Sequence, residues 1–144
     1  MNSPAATEVR SAKKAVLVVD DEFGPRESLR MILKPLYEVH TASDGYEALR
    51  AINERKFDVV TLDLKMPGLS GIDVLKEIKK LRPETEVIII TGYGSLENAS
   101  EAVRWGTGDF LSKPFNVADV LSTVARSFER RDHGRQLRSL LENS

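Results

Sequence analysis

Residues 15–22 have the sequence AVLVVDDE, an unbroken apolar run that ends in three acids. A short, continuously apolar and β-branched run is typical of a strand that is covered on both faces, as in the interior of a parallel sheet. Residues 87–90, VIII, have the same character. These two segments predict interior strands of a sheet that has helices on both sides.

Three further short runs complete a regular alternation with segments of helical period. The predicted strands are 15–20, 38–42, 58–62, 86–91 and 109–112, and the second carries His40 and alternates more, which favours an edge position. Strands that alternate with helical segments indicate repeated βαβ units. We therefore expect a doubly wound (βα)5 fold with a five-stranded parallel sheet and an extended C-terminal helix.

The 144 residues are enough for one compact domain with little left over. We expect a flexible segment at 1–13, the domain at 14–128 and a helical extension or linker at 129–144. Five arginines lie within 126–138, where Gly134 weakens helical propensity. This run is interpreted as a solvated extension of the last helix, and Leu137, Leu140 and Leu141 resume an apolar face after it.

Composition excludes several classes of function. With 21 basic and 22 acidic residues the formal net charge is −1, which gives no global attraction to nucleic acid or to an anionic membrane. The first 14 residues lack the apolar stretch of a secretory signal, and no run reaches the roughly 20 apolar residues of a membrane span. The absence of cysteine fits a reducing compartment. We expect a cytoplasmic protein that contacts neither membrane nor DNA directly.

Polar side chains stand where the predicted strands end. Three acids, residues 20–22, follow the first strand, Asp63 follows the third, Thr91 ends the fourth, and Lys113 follows the fifth. Each alone is more often a helix cap or a surface group than a functional residue. Ligands of open parallel sheets bind beyond the carboxyl ends of the strands, so the convergence of carboxylates, a hydroxyl and an ammonium at that edge predicts a site.

The chemistry of this set favours phosphoryl transfer with a divalent cation. Crowded carboxylates repel one another unless a cation compensates them, and ligands that are all oxygen favour Mg²⁺. One carboxylate then remains as a nucleophile for phosphorus. Asp63 provides that nucleophile, while Lys113 and Thr91 provide the charge and the hydroxyl that position a phosphoryl group.

Four motifs in order carry a resemblance to a known family. They are VLVVDDE at 16–22, TLDLKMPGLSG at 61–71, ITGYG at 90–94 and FLSKPF at 110–115. Together they closely resemble the receiver domain of two-component response regulators, over residues 14 to about 128. The last two motifs and the arginine-rich extension are similar to receivers of nitrogen-regulation-type transcriptional activators. The resemblance implies a flavodoxin-like fold.

The resemblance also implies the roles of the acids. Asp63 would accept a phosphoryl group from a phosphohistidine of a sensor histidine kinase. Asp20 and Asp21 would hold Mg²⁺ together with Asp63 and the backbone carbonyl of Lys65. The domain would catalyse its own phosphotransfer and a slow autodephosphorylation, without being an enzyme on a separate substrate.

A switch is implied by the same resemblance. Thr91 would hydrogen-bond the phosphoryl oxygen, and Lys113 would pair with the phosphoryl group. Phe110 occupies the aromatic switch position, and the peptide before Pro114 is commonly cis in this family. Phosphorylation would shift the face formed by the fourth helix, fifth strand and fifth helix toward the form that binds a partner.

Two residues are expected to tune the lifetime of the phosphorylated state. Lys65 and Tyr93 lie two residues after Asp63 and Thr91, at the family positions that flank the path of the attacking water. A long cation and a bulky ring should obstruct that path. We therefore hypothesise slow hydrolysis of the acyl phosphate.

Other readings remain open. A flavodoxin-like electron carrier needs a Ser/Thr/Gly-rich phosphate loop, where this chain has acids that repel a flavin phosphate. A dehalogenase-type phosphatase expects a second acid at the position of Lys65. A receiver-like module that binds partners without phosphorylation is the main alternative. A homodimer, through the switching face or the C-terminal helix, and a downstream output domain are further partners to test.

Overall fold

The computed structural model of the protein describes residues 13–92 and 96–142, with the backbone alone at 96–99. Its strands are β1 Ala15–Val19, β2 Glu38–Ala42, β3 Val59–Asp63, β4 Glu86–Thr91 and β5 Asp109–Ser112. All are parallel, in the order β2-β1-β3-β4-β5. The parallel sheet is confirmed, with β2 at an edge. β1 ends one residue before its predicted end, and β3 is shifted by one residue toward the C-terminus.

A helix follows each strand. The helices are α1 Phe23–Leu33, α2 Gly45–Glu54, α3 Gly71–Leu81, α4 Leu96–Arg104 and α5 Val117–Glu142. Side chains cap three of them: Asp44, Ser70 and Asn116 each accept a hydrogen bond from a backbone N–H three residues further on. None of the helices, in the part of the chain that the structure describes, is long and apolar enough to cross a membrane.

The sheet separates two apolar cores. Leu17 and Val19 of β1 pack on one side with α2, α3 and Ala102 of α4, whereas Val16 and Val18 pack on the other side with α1 and α5. Every residue of β1 and β3 is buried. Because alternate residues of a strand point to opposite faces, strands covered on both sides are predominantly apolar. This is the physical reason for the apolar runs in the sequence.

Helix α5 is 26 residues long and passes through Gly134 and the predicted domain boundary without a break. Its basic residues bind acids that stand at the beginnings of three neighbouring strands. We call this set the α5 clasp: Asp58, Glu86 and Asp109 with Arg126, Arg130 and Arg131. Arg131 is only 8% exposed, so the helix continues to pack on the domain beyond Phe128.

Asp109 is the most heavily bonded acid of the clasp. Its carboxylate accepts from Arg126 at 3.0 Å, from Arg130 at 2.6 Å and from the Ser127 hydroxyl at 3.3 Å. Burial alone would raise the pKa of Asp109, but the two guanidinium groups outweigh it and hold the pKa below its ordinary value. The charged form therefore stabilises the fold.

We predict that Asp109→Asn lowers the free energy of unfolding at pH 7 by about 1–3 kcal/mol, because buried charge-assisted hydrogen bonds are lost. Since the pKa of Asp109 is lower in the folded protein, its contribution is complete above the unfolded pKa of about 3.9 and disappears as the pH falls through the folded value. Urea unfolding at several pH values measures both effects.

The matched control is Glu38→Gln, which removes an exposed pair with Arg55. We expect that change to cost less than about 1 kcal/mol. The stabilising role of the charged Asp109 would be contradicted if Asp109→Asn lost no more free energy of unfolding than this control, or if its loss were the same at pH 3 as at pH 7.

Candidate functional site

The order of the strands fixes where the site lies. From β1 the chain passes to β2 on one side of it and then to β3 on the other, so the sheet changes direction between β1 and β3. Asp20 follows the last residue of β1, and Asp63 is the last residue of β3. Both are buried, at 0% and 5% exposure. A crevice at the carboxyl ends of strands that flank such a switch point is the usual ligand site of an open α/β sheet.

Lys113 joins the two carboxylates. Its Nζ lies 2.9 Å from Asp63 Oδ2, 3.0 Å from Asp20 Oδ2 and 3.4 Å from Glu22 Oε1. The Lys113–Pro114 peptide that follows β5 is cis. Residues from β1, β3 and β5, far apart in sequence, therefore meet at one point of the sheet edge.

Backbone hydrogen bonds orient the acids. Glu22 N–H donates to Asp20 Oδ1 and Lys65 N–H donates to Asp63 Oδ1, both at 2.9 Å. The loop after β3 closes tightly where Gly71 N–H donates to Leu64 O at 3.2 Å. A Cβ on Gly71 would lie 2.6 Å from Asp63 O, so glycine is required for α3 to begin so close to the strand. The second oxygen of each buried carboxylate is left to face Lys113.

The charges in the site perturb one another. Burial is the largest effect on Asp20 and raises the pKa of its carboxyl, with the neighbouring Asp63 adding to the rise. Burial alone would lower the pKa of the Lys113 ammonium, but Asp63 and Asp20 outweigh it and raise that pKa. Lys113 therefore stays charged and offsets part of the carboxylate repulsion.

The donor atoms fit a hard divalent cation. Carboxylate oxygens of Asp20, Asp21, Glu22 and Asp63 all lie within 4.8 Å of one another. Asp20 Oδ2 is buried, and Lys113 Nζ lies 3.0 Å from it. Within the described residues, a single ammonium thus stands among several carboxylates that are close enough together to bind one cation. Oxygen ligands in this number suit Mg²⁺.

Thr91 lies beside this cluster, and Phe110 lies on the neighbouring strand β5. Thr91 ends β4 opposite Ser112, and its carbonyl accepts from Lys113 N–H at 2.8 Å. A cavity of about 350 Å³ opens there, lined by residues 91, 92 and 112–114. The Phe110 side chain is 37% exposed on β5. Lys65 is exposed next to Asp63, whereas Tyr93 lies outside the described residues.

Sequence reasoning missed one basic residue near the site. Arg26, in the first turn of α1, donates from Nη1 to the backbone carbonyl of Asp20 at 2.8 Å. Arginines are common on the exposed surfaces of helices. Nothing in the local sequence distinguishes an arginine whose guanidinium reaches back to the end of a strand. Glu22 was part of the acidic motif but was not assigned as a ligand.

Comparisons with known proteins agree with this geometry. The family model described as the response regulator receiver domain matches residues 16–125. The chain belongs to this family. Receiver domains interact with histidine kinases and output domains in two-component systems, and they are not enzymes in the ordinary sense.

Relatives of this receiver domain differ in length. The Chemotaxis protein CheY of Thermotoga maritima is 39% identical over 113 residues, covering 77% of this chain and 94% of the relative. Transcriptional regulatory protein ZraR of Escherichia coli O157:H7 is also 39% identical over 113 residues, covering 78% of this chain but only 26% of that regulator. The receiver therefore spans about a quarter of the length of such regulators.

Solved structures show the same fold. NtrX from Brucella abortus, crystallised with ADP, superposes with a TM-score of 0.85 at 38% identity, over 89% of this chain and 30% of that one. The receiver domain of NtrX superposes with a TM-score of 0.75 at 41% identity, over 79% and 98%. The flavodoxin-like fold and the predicted family are thereby confirmed.

We predict that Mg²⁺ raises the melting temperature by several degrees, because an ion that binds only the folded state adds to its stability. Asp20→Asn should abolish most of the shift, while Glu77→Gln on the outer surface of α3 should preserve it. Thermal unfolding in EDTA and in excess Mg²⁺ measures the effect. Equal shifts in the wild type and in Asp20→Asn would contradict the site.

Proposed function

We propose that this receiver accepts a phosphoryl group on Asp63 from the phosphohistidine of a sensor histidine kinase, in the cytoplasm and in a Mg²⁺-dependent reaction. One observation carries the proposal: the buried Asp63 carboxylate lies 2.9 Å from the Lys113 ammonium and within a cluster of metal-type oxygen donors. Phosphorylation would add negative charge to Asp63, and the Lys113 ammonium together with a bound cation would compensate that charge.

In the proposed reaction an oxygen of the Asp63 carboxylate forms the new bond to phosphorus, and the bond from phosphorus to the histidine nitrogen breaks. The imidazole leaves with that electron pair. Lys65 N–H holds Asp63 Oδ1 and so fixes the orientation of the nucleophile. Lys113 stands where the transferred oxygens arrive and balances their charge.

Mg²⁺, when bound, would neutralise the carboxylates and the phosphoryl oxygens together. Asp20, Asp21 and Asp63 would hold it, with the backbone carbonyl of Lys65 as a further ligand. Thr91 would donate its hydroxyl to a phosphoryl oxygen from the end of β4. These assignments follow the match between this sequence and the motifs of the family.

The proposed output is a shift of the surface formed by α4, β5 and α5. Two of the exposed apolar side chains belong to these elements, Val103 of α4 and Phe110 of β5. Movement of Thr91 toward the phosphoryl group would let the Phe110 ring turn inward and change this surface. The partner would be a second copy of the chain or an output domain, and exposed residues of the C-terminal half of α5, such as Leu137, offer a second dimer contact.

We predict that the wild type gains one phosphoryl group from acetyl phosphate and Mg²⁺, and that Asp63→Asn gains none, because the amide lacks a nucleophilic oxygen. Asp73→Asn, at an exposed carboxylate of the α3 cap, is the matched control and should react normally. Intact mass spectrometry with and without EDTA measures the adduct.

A folded wild type that gains no phosphoryl group would sink the proposal and leave the phosphorylation-independent interaction module in its place. An adduct that persists in Asp63→Asn would place the acceptor elsewhere.

We further predict that Lys65→Ala accelerates loss of the phosphoryl group. The exposed Lys65 side chain follows the acceptor by two residues, where we propose that it obstructs the attacking water together with Tyr93. Lys80→Ala, on the outer surface of α3, is the control. The decay of the adduct after removal of the donor measures the rate, and an unchanged lifetime would refute the tuning role of Lys65.

A further inference from the structure

Arg26 holds the turn between β1 and α1 from two directions. Its Nη1 donates to the backbone carbonyl of Asp20 at 2.8 Å, and its own backbone N–H donates to the carbonyl of Glu22 at 3.2 Å. The turn between these contacts carries three of the four acids of the site, Asp20, Asp21 and Glu22. A single residue of α1 therefore connects the helix to both ends of the acidic segment.

Besides Arg26, the turn is closed by the Asp20 side chain, whose Oδ1 accepts from Glu22 N–H at 2.9 Å. Glu22 is the N-cap residue of α1, but its side chain makes no capping hydrogen bond, and its carboxylate lies 3.4 Å from Lys113. Asp20 N–H donates to Ala42 O at 3.1 Å, which fixes only the start of the segment. Among the described residues, Arg26 is the side chain that hydrogen-bonds to the Asp20 carbonyl.

The bonded carbonyl controls the direction of the next residue. The carbonyl of Asp20 and the N–H of Asp21 belong to one peptide unit, which is planar. A hydrogen bond to that oxygen therefore fixes the plane from which the Asp21 side chain departs. The guanidinium itself is held in place near the ring of Phe23, with its Cζ 5.7 Å from the ring centroid.

We propose that Arg26 is a positioning residue of the metal site, which fixes the Asp20–Asp21 peptide so that both carboxylates face the same cation. This inference rests on the Mg²⁺-dependent function proposed above. Arg26 contacts neither the cation nor the phosphoryl group in this role. It acts through a backbone carbonyl, as residues that orient metal ligands commonly do.

The positive charge of Arg26 and its positioning role would have opposite effects on the affinity for Mg²⁺, which makes the proposal testable. The cationic Arg26 guanidinium lies next to an acidic site, so by charge alone it repels a divalent cation. If charge were its main effect, its removal would strengthen Mg²⁺ binding. If it orients the ligands, its removal weakens binding.

The experiment measures Mg²⁺ affinity by isothermal titration calorimetry on the full 144-residue chain, without any phosphodonor. We expect Arg26→Gln to weaken binding by about 10-fold, the lower end of what is typical for loss of a group that orients a ligand. Arg26→Lys retains the charge and one donor, and should return most of the lost affinity.

Arg30→Gln is the matched control. Arg30 lies one turn further along α1 and pairs with Glu27 on the surface, so it has the same charge without the contact to the turn. The affinity of Arg30→Gln for Mg²⁺ should equal that of the wild type. Thermal unfolding in EDTA checks that Arg26→Gln is folded, and Arg26→Met, which keeps the aliphatic stem but has no donor, replaces it as the loss variant if it is not.

Tighter or unchanged binding in Arg26→Gln, with the variant folded, overturns the proposal, and so does an equal loss in Arg30→Gln. Phosphorylation of the wild type is scored separately by mass. A wild type that binds Mg²⁺ but accepts no phosphoryl group refutes the proposed function. The role of Arg26 is then decided by the calorimetric comparison of Mg²⁺ affinities alone. A wild type that binds no Mg²⁺ refutes both.

Discussion

The contact of Lys113 with Asp20 and Asp63 is the interaction on which the arrangement of the site depends. The three residues come from strand ends that are not all adjacent, since β4 lies between β3 and β5. Two strand spacings are about 10 Å, so a long side chain must pass over the end of β4 to reach Asp63. β4 ends in Thr91 and is followed by Gly92, and these two small residues line a cavity together with Lys113. The contact between Lys113 and Asp63 thus requires both a long side chain at position 113 and small residues at the end of β4.

The two ends of the strands, which form the N-terminal and the C-terminal edge of the sheet, show that acidic and basic side chains can serve either structure or function. At the N-terminal edge the α5 clasp matches acids with arginines, and little charge remains uncompensated. At the C-terminal edge four carboxylates lie together, and Lys113 forms ion pairs with three of them, Asp20, Glu22 and Asp63. An excess of negative charge that the protein itself does not neutralise indicates a ligand. The balance of charge, more than the presence of acids, identifies the functional edge.

The sheet and the acidic cluster could be predicted because each follows from local sequence: doubly covered strands are apolar, and residues after parallel strands converge at one edge. The clasp could not be predicted in this way. Asp109 and Glu86 lie 21 and 44 residues from Arg130, and no local pattern relates them. The arginine-rich run was therefore interpreted as a solvated extension, although Arg131 is buried against Asp58. Arg26 escaped notice because it acts on a backbone carbonyl, which every residue possesses.

The distribution of these contacts determines which helix can respond to a change at Asp63. Helix α5 is attached by ion pairs at the end of the sheet opposite the site, and these pairs resist its displacement. Helix α4, which follows the Thr91 strand, contributes Ala102 to the buried core and one ion pair, from Glu101 to Lys76 at 3.3 Å, among its described side chains. A phosphoryl group that draws Thr91 inward, as proposed above, would act on α4, which follows that strand in the chain. The surface between α4 and α5 would then carry the signal.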